Sequence, residues 1–202
     1  MNRKSLPAAS AIALAAFLGL STGAFAANDL SYTYIEGSYI DIDVDDADAD
    51  GDGFGIAGSV ALTELFHVFG SFASAELDGP MGFDVDFDTF EFGGGVNYPL
   101  ADNMDFVGRL SYLNMEVDVP GFGNADDDGF GLYGGLRGRL ATAPVELEGG
   151  IAYADLDEGG DDTSFVAGGR YYFTDQWAVG LSADVGDDVT VWGLNVRWEM
   201  PK

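Results

Sequence analysis

The chain has 202 residues, with 35 Asp and Glu against 8 Lys and Arg, one His and no Cys, for a formal net charge of -27. So acidic a chain lacks the cations that replace counterions on phosphate backbones, which excludes nucleic acid as a partner. The missing cysteines exclude a disulfide framework, a thiolate nucleophile and sulfur-ligated zinc, while 47% hydrophobic residues exclude a chain disordered by composition.

The first 26 residues read as a secretory signal peptide. Met1-Asn2-Arg3-Lys4 is a positive start, and Ala8 to Leu20 is apolar but for Ser10 and Gly19. Ala24 and Ala26 then place small residues before a cut at Ala27, and the apolar run is too short to span a bilayer. Residues 27–202 are read as one domain. They keep five Arg, one Lys and all 35 carboxylates, and no later stretch is an 18-residue apolar span.

The rest alternates at period two, the signature of half-buried strands. Strands are predicted near 30–45, 53–62, 66–77, 86–98 and 105–117. From Phe130 to Leu140 the even positions Phe130, Leu132, Leu136 and Leu140 are apolar. Val145 to Ala154, Phe165 to Phe173, Trp177 to Val185 and Val191 to Trp198 repeat the pattern. At Phe87-Asp88 the alternation breaks, read as a bulge or as the end of a membrane zone.

The connections differ in kind. Thr63-Glu64, Pro99 to Met104, Thr142-Ala143-Pro144 and Thr174-Asp175-Gln176 are short. Residues 46–52, 78–85, 118–128 and 158–162 are mostly longer and rich in Asp, with a tight Asp187-Asp188 last. Short turns at one end and longer loops at the other are the habit of transmembrane barrels. The fold class is therefore all-β: a single transmembrane antiparallel up-and-down barrel of ten strands, with eight as the alternative count. An even count puts both termini at the short-turn, periplasmic end. Tyr98, Phe106, Phe173, Trp177 and Trp198 lie at strand ends, where aromatics form girdles at headgroup level.

Arg109, Arg137, Arg139, Arg170 and Arg197 each fall in a strand, on the face opposite the apolar stripe. In a membrane barrel that face is the lumen. Glu91, Glu146, Glu148 and Asp184 share it, and Glu36 is placed with them. A two-residue hairpin at Thr142-Ala143 sets Arg139 opposite Glu146 and Arg137 opposite Glu148, and opposed opposite charges attract. A paired-charge lumen follows, in which arginine forks satisfy carboxylates. Ordinary interior salt bridges without a transport role explain it, since small barrels fill their interiors with side chains.

The loops carry most of the acid: 24 of the 35 carboxylates lie in 41–52, 76–88, 116–128, 155–162 and 187–188. Asp48-Ala49-Asp50-Gly51-Asp52-Gly53 matches the opening of a calcium loop, but the twelfth position is Ser59 rather than the bidentate Glu. An EF-hand is excluded on that ground. A weak divalent-cation site at Asp48, Asp50 and Asp52, for Ca²⁺ or Mg²⁺, is the reading left, against a solvated, self-repelling loop. No other cofactor is expected.

Catalysis finds little support. His67 lies beside the short turn at Thr63-Glu64, away from the outer end, and reads as an interfacial or lumen side chain. Ser59, Ser71, Ser111 and Ser182 have no base near them in sequence, and Gly93-Gly94-Gly95 lacks the helix and basic partner of a nucleotide loop.

Four stretches carry two resemblances. Gly193-Leu194-Asn195-Val196-Arg197-Trp198 looks like the terminal assembly signal of outer-membrane barrels, with Glu199-Met200-Pro201-Lys202 added after the aromatic. Leu30 to Tyr39, Asp52 to Leu62 and Phe66 to Gly70 resemble small outer-membrane proteins of xanthomonads, one of which was described as a secreted activator of plant immunity; more broadly they resemble OmpA/OmpX-like barrels. The resemblance implies a small Gram-negative envelope barrel exported by the Sec route. Its partners would be outer-membrane lipid, lipopolysaccharide and the barrel assembly machinery, and it brings no catalytic motif. The expected function is non-enzymatic: a surface barrel whose acidic loops serve an envelope-structural or surface-interaction role. The alternative is a porin-like, narrow cation-favouring pore. A soluble exported barrel with an apolar interior is a third class, and it demands the reverse of the arginine placement.

Overall fold

The computed structural model describes residues 30–44, 49–79, 83–119 and 123–201. Ten strands follow in chain order: β1 Tyr34–Val44, β2 Ala49–Ala61, β3 Phe66–Gly79, β4 Phe83–Ala101, β5 Met104–Val119, β6 Gly123–Arg139, β7 Val145–Leu156, β8 Gly160–Tyr172, β9 Trp177–Val185 and β10 Val189–Glu199. Each pairs antiparallel with its sequence neighbours, and β1 pairs with β10, so the sheet is closed. Closure leaves no unpaired edge, the condition for a sheet in lipid. No described helix is long and apolar enough to cross a membrane, which is no test of a barrel.

The described residues begin and end at the same end of the barrel, here the terminal end. Two of its turns use one repeated device. The Thr63 hydroxyl accepts the N–H of Leu65 and Phe66 at 3.1 and 3.0 Å. Thr174 does the same for Gln176 and Trp177 at 3.3 and 2.9 Å. These local side-chain caps explain why threonine opens both turns. At the far end, Asp127 caps the turn 157–159 by accepting the N–H of Gly159 at 2.7 Å and of Glu158 at 3.1 Å. Gly160 follows with φ +85°, a conformation that favours glycine.

The strand count matches the sequence reading, but several boundaries differ. β4, β5 and β6 run 19, 16 and 17 residues, so most of the predicted loops 78–85 and 118–128 are strand. β2 and β8 likewise start earlier than predicted, at Ala49 and Gly160. Aspartate is a poor strand former when isolated, yet here neighbouring strands supply its ladder partners. Residues 30–33 are not part of β1; Leu30 and Tyr32 instead lie buried inside the barrel. The connection at Thr142-Ala143 is longer than a two-residue hairpin, with Leu140 N–H bonded to Val145 O at 2.8 Å, but the predicted register stands.

The break at Phe87-Asp88 is not a bulge. β4 pairs with β3 and β5 in unbroken register through it, and the one irregularity of β4 and β5 lies at Pro99/Ala101. What changes is the chemistry of the two faces. Near the terminal end, outward residues are apolar: Tyr98, Val96, Phe92 and Phe90 on β4, Phe106, Leu110 and Tyr112 on β5. Further along the same strands, outward residues are acidic: Asp88 and Asp86, then Glu116 and Asp118. Inward residues do the opposite. Asn97 and Glu91 give way to Phe87 and Val85, and Asp105 and Arg109 to Leu113 and Met115. A transmembrane strand needs about 9–11 residues, so the long strands have length to spare. The barrel is apolar outside and polar inside in its terminal half, and polar outside and apolar inside in its far half. The far-half core includes Ile40, Ile42, Val44, Ala73, Ala75, Val85, Phe87, Val166, Val189 and Val191, and a second cluster joins Leu113, Met115, Ala154 and Leu156.

Candidate functional site

The site is the lumen of the terminal half, and strand parity builds it. All five arginines predicted to face inward do so, with Arg109, Arg137, Arg170 and Arg197 at 6% exposure or less. The predicted register holds: Arg139 is paired with Glu146 and Arg137 with Glu148 across β6 and β7. The side chains, however, choose partners diagonally and across the lumen. Arg137 Nε donates to Glu146 Oε1 at 2.8 Å, not to Glu148 opposite it. Glu148 is occupied by Arg109 Nη2 at 2.9 Å and Arg170 Nη1 at 3.2 Å, from β5 and β8. An arginine reaches beyond its directly opposed neighbour, and a narrow lumen brings six strands, β1, β5, β6, β7, β8 and β10, into one network.

Glu146 is the hub. Besides Arg137, its oxygens accept Arg139 Nη2 at 3.2 Å, Arg170 Nη1 at 3.3 Å and the Tyr172 hydroxyl at 3.2 Å, with Arg197 Nη1 at 3.8 Å. Glu36 ties β1 to the network, accepting Arg197 Nε at 2.8 Å and Arg170 Nε at 3.2 Å. Each guanidinium that leaves a face open lays it on a tyrosine: Arg139 on Tyr172 and Arg197 on Tyr34 at 4.0 Å, Arg109 on Tyr133 at 4.3 Å. Stacking shields a desolvated cation without needing another carboxylate.

Two predicted members sit apart. Glu91 forms no ion pair among the described residues and accepts the Ser71 hydroxyl at 3.4 Å. Asp184 lies fully buried on β9 between Val166 of β8 and Val191 of β10, in the apolar half. Sequence reasoning missed Glu199 and the tyrosines. Glu199 accepts the Tyr172 hydroxyl at 2.5 Å and lies 3.7 and 3.9 Å from Arg139 and Arg137. Parity could have found them, because Glu199 follows Arg197 and Tyr172 follows Arg170 by two residues.

His67 is buried in the lumen, its ring stacked on Tyr32 at 5.5 Å and filling the space where Gly95 lacks a side chain. Of the candidate cation ligands, Asp50 and Asp52 are exposed on β2, opposite Asp43 and Asp41 of β1. Asp48 lies outside the described residues. Among the described residues no group of three or more His, Asp or Glu is arranged to hold a metal.

An apolar outward band over a charged interior, in a closed ten-stranded meander, is membrane-barrel architecture. A family model described as outer membrane protein beta-barrel domain matches residues 12–187. The chain belongs to this family. Membership places the barrel in the outer membrane. Among solved structures, the translocator domain of the autotransporter NalP from Neisseria meningitidis matches with a TM-score of 0.51 at 10% identity, over 84% of this chain and 89% of that one. OprG from Pseudomonas aeruginosa matches at 0.45 and 11%, over 90% and 99%. Ail, the attachment invasion locus protein of Yersinia pestis, solved with the heparin analogue sucrose octasulfate, matches at 0.45 and 15%, over 83% and 97%. No curated protein matches the chain.

Proposed function

We propose that this is a non-enzymatic outer-membrane barrel with a closed lumen and an acidic outer rim, serving an envelope-structural or surface-interaction role. Its termini face the periplasm and its far half stands above the membrane. One observation carries this reading: the lumen is filled twice over, by bridged arginines below and an aliphatic core above. Between these layers, the cavity lined by Glu91, Arg109, Ser111, Tyr133 and Ala152 holds about 20 Å³, room for a single water. A buried salt-bridge layer costs desolvation and is weak evidence for stability by itself. Here it pairs the buried guanidiniums with carboxylates inside the lumen, while Arg109 Nε and the Tyr133 hydroxyl make no hydrogen bond among the described residues.

The outer rim supports the surface role. Outward carboxylates stand opposite one another across strands: Glu76 with Asp86, Asp86 with Asp118, Asp88 with Glu116, Glu116 with Asp126, Asp41 with Asp52, Asp43 with Asp50 and Asp155 with Asp161. Opposed like charges destabilise a sheet, and hard divalent cations are the oxygen-seeking species that relieve such repulsion. Weakly held Ca²⁺ or Mg²⁺ between this rim and lipopolysaccharide phosphates fits that chemistry. The likeness of the first three strands to xanthomonad surface proteins agrees with an exposed role. Removal of the signal peptide before Ala27 and insertion by the barrel assembly machinery belong to the same reading.

Planar-bilayer recording of the purified protein is the test. The expected record is flat at voltages that open porins. Reproducible conductance steps would overturn the closed-lumen reading and put a narrow, cation-favouring pore in its place.

A further inference from the structure

Residues 30–33, just before β1, do something a segment flanking a barrel rarely does. Terminal segments are usually solvated unless tied down, yet Leu30 and Tyr32 are 0% and 1% exposed. Leu30 packs with Val107 of β5 and against Tyr133 of β6, both inward-facing residues. The chain therefore folds back from the start of β1 into the barrel.

Its contacts come from many strands. The Tyr32 hydroxyl donates to Asp105 Oδ2 on β5 at 2.7 Å. Arg137 Nη1 on β6 donates to the Ser31 carbonyl at 3.0 Å, and its guanidinium lies 5.1 Å from the Tyr32 ring. His67 on β3 stacks on the same Tyr32 ring at 5.5 Å. The Ser59 hydroxyl on β2 donates to the Tyr32 carbonyl at 3.1 Å, and the N–H of Ala61 donates to the Thr33 hydroxyl at 3.1 Å. Beyond β10, the N–H of Met200 donates to the Thr33 carbonyl at 3.0 Å. Main-chain carbonyls are recognised by side chains, a phenol meets a carboxylate, and a leucine meets an apolar wall. That is how a peptide is bound. A mouth cavity of about 610 Å³ lined by Ser31, Arg139, Asp175, Gln176 and Glu199 opens beside the segment, so water reaches its edge from the terminal end.

We propose that the terminal half of the lumen contains a peptide-binding site, occupied in cis by Leu30–Thr33, which acts as an internal plug against the periplasm. Tyr32 is its anchor. A burial of this kind is held by local free energy and opens separately from the barrel, which hydrogen-bonded strands keep closed. The proposal rests on the closed-lumen reading but fails separately, because conductance tests that reading and thiol protection tests this one.

The chain has no cysteine, so single thiols report cleanly. Leu30→Cys is placed in the full chain, with Glu64→Cys in the exposed turn as the accessible control. Both are folded in detergent, checked by heat-modifiable gel mobility, and treated with maleimide-coupled polyethylene glycol. Cysteine at position 30 is expected to react about a hundredfold more slowly than at 64 while the barrel is folded, and equally after heating. Adding Tyr32→Ala should raise its rate about tenfold or more without unfolding the barrel. Ser31→Cys, nearly isosteric, carries the test if Leu30→Cys does not fold, with the same ordering expected. Equal rates at 30 and 64 in the folded barrel would overturn the plug. So would protection that Tyr32→Ala leaves unchanged, because the segment would then be shielded without being held.

Discussion

Along β5, Phe106, Leu110 and Tyr112 face outward while Asp105, Arg109 and Ser111 face inward; a few residues on, Glu116 and Asp118 face outward while Leu113 and Met115 face inward. The backbone does not change between these stretches. No residue is inserted, the register is continuous, and side chains keep their parity. On the proposed membrane placement, what changes is the solvent. Lipid then surrounds the terminal half, whose outer face is apolar and whose charges pair within. Water surrounds the far half, built like a soluble barrel with an apolar core and a charged surface. A soluble barrel and a membrane barrel, posed as rival classes on sequence grounds, are stacked end to end on the same ten strands.

Mutations that treat the two halves differently break or sharpen this contrast. The largest effect is expected at Glu146, where removing the hub strands buried guanidiniums; loss of one partner from a buried pair costs about 3–5 kcal/mol. Glu146→Ala should lower the temperature at which the folded gel band is lost far more than Glu199→Ala does. An unchanged transition would show that the arginines do not depend on the hub. In the far half the corresponding loss is packing. Phe87→Ala should cost about 3 kcal/mol by guanidinium unfolding in detergent, and a cost below about 1 kcal/mol would mean the upper core is loosely filled.

A charge scan of the outer face reads the boundary directly. Leu110→Arg, on the apolar band, should destabilise the bilayer-folded barrel by about 2–4 kcal/mol, the range for arginine near the midplane. Glu116→Arg, six residues on along the same face, should be neutral or stabilising, since it faces Asp88 and Asp126. Equal costs at the two sites would erase the boundary. The smallest effect is expected at Asp86, which faces both Glu76 and Asp118. Asp86→Asn should stabilise by a few tenths to about 1 kcal/mol in low salt, and millimolar Mg²⁺ should remove the gain.

Much of the terminal half was legible from the chain. Period-two patterning located ten strands, the arginines' common parity assigned them to the lumen, and a short turn set the register of Arg139 on Glu146. These features are local or involve strands joined by one turn. Partner choice was not legible, because Arg170 on β8 meets Glu36 on β1 only when the barrel closes. The far half was legible only in part for a related reason. Its strands alternate with the opposite sense, so Phe87-Asp88 reads equally as a bulge or as the end of a membrane zone until the unbroken pairing of β4 is known. Long Asp-rich stretches such as 118–128 looked like loops for the same reason, though their backbones pair. Leu30 and Tyr32 carry the apolar and aromatic character of a strand, and nothing local distinguishes a first strand from a plug.

The sequence by itself determined the antiparallel all-β class, the inward-facing arginines and the acidic surplus, since these follow from alternation, turn length and composition; closure of the sheet settled ten strands over eight. Only the tertiary structure decided which carboxylate holds which arginine, where the barrel turns inside out, and that the residues before β1 lie within the lumen. Closure is the physical reason. It converts residues far apart in sequence into neighbours across one narrow lumen, and at that point reach, crowding and solvent exposure outweigh any rule of local spacing.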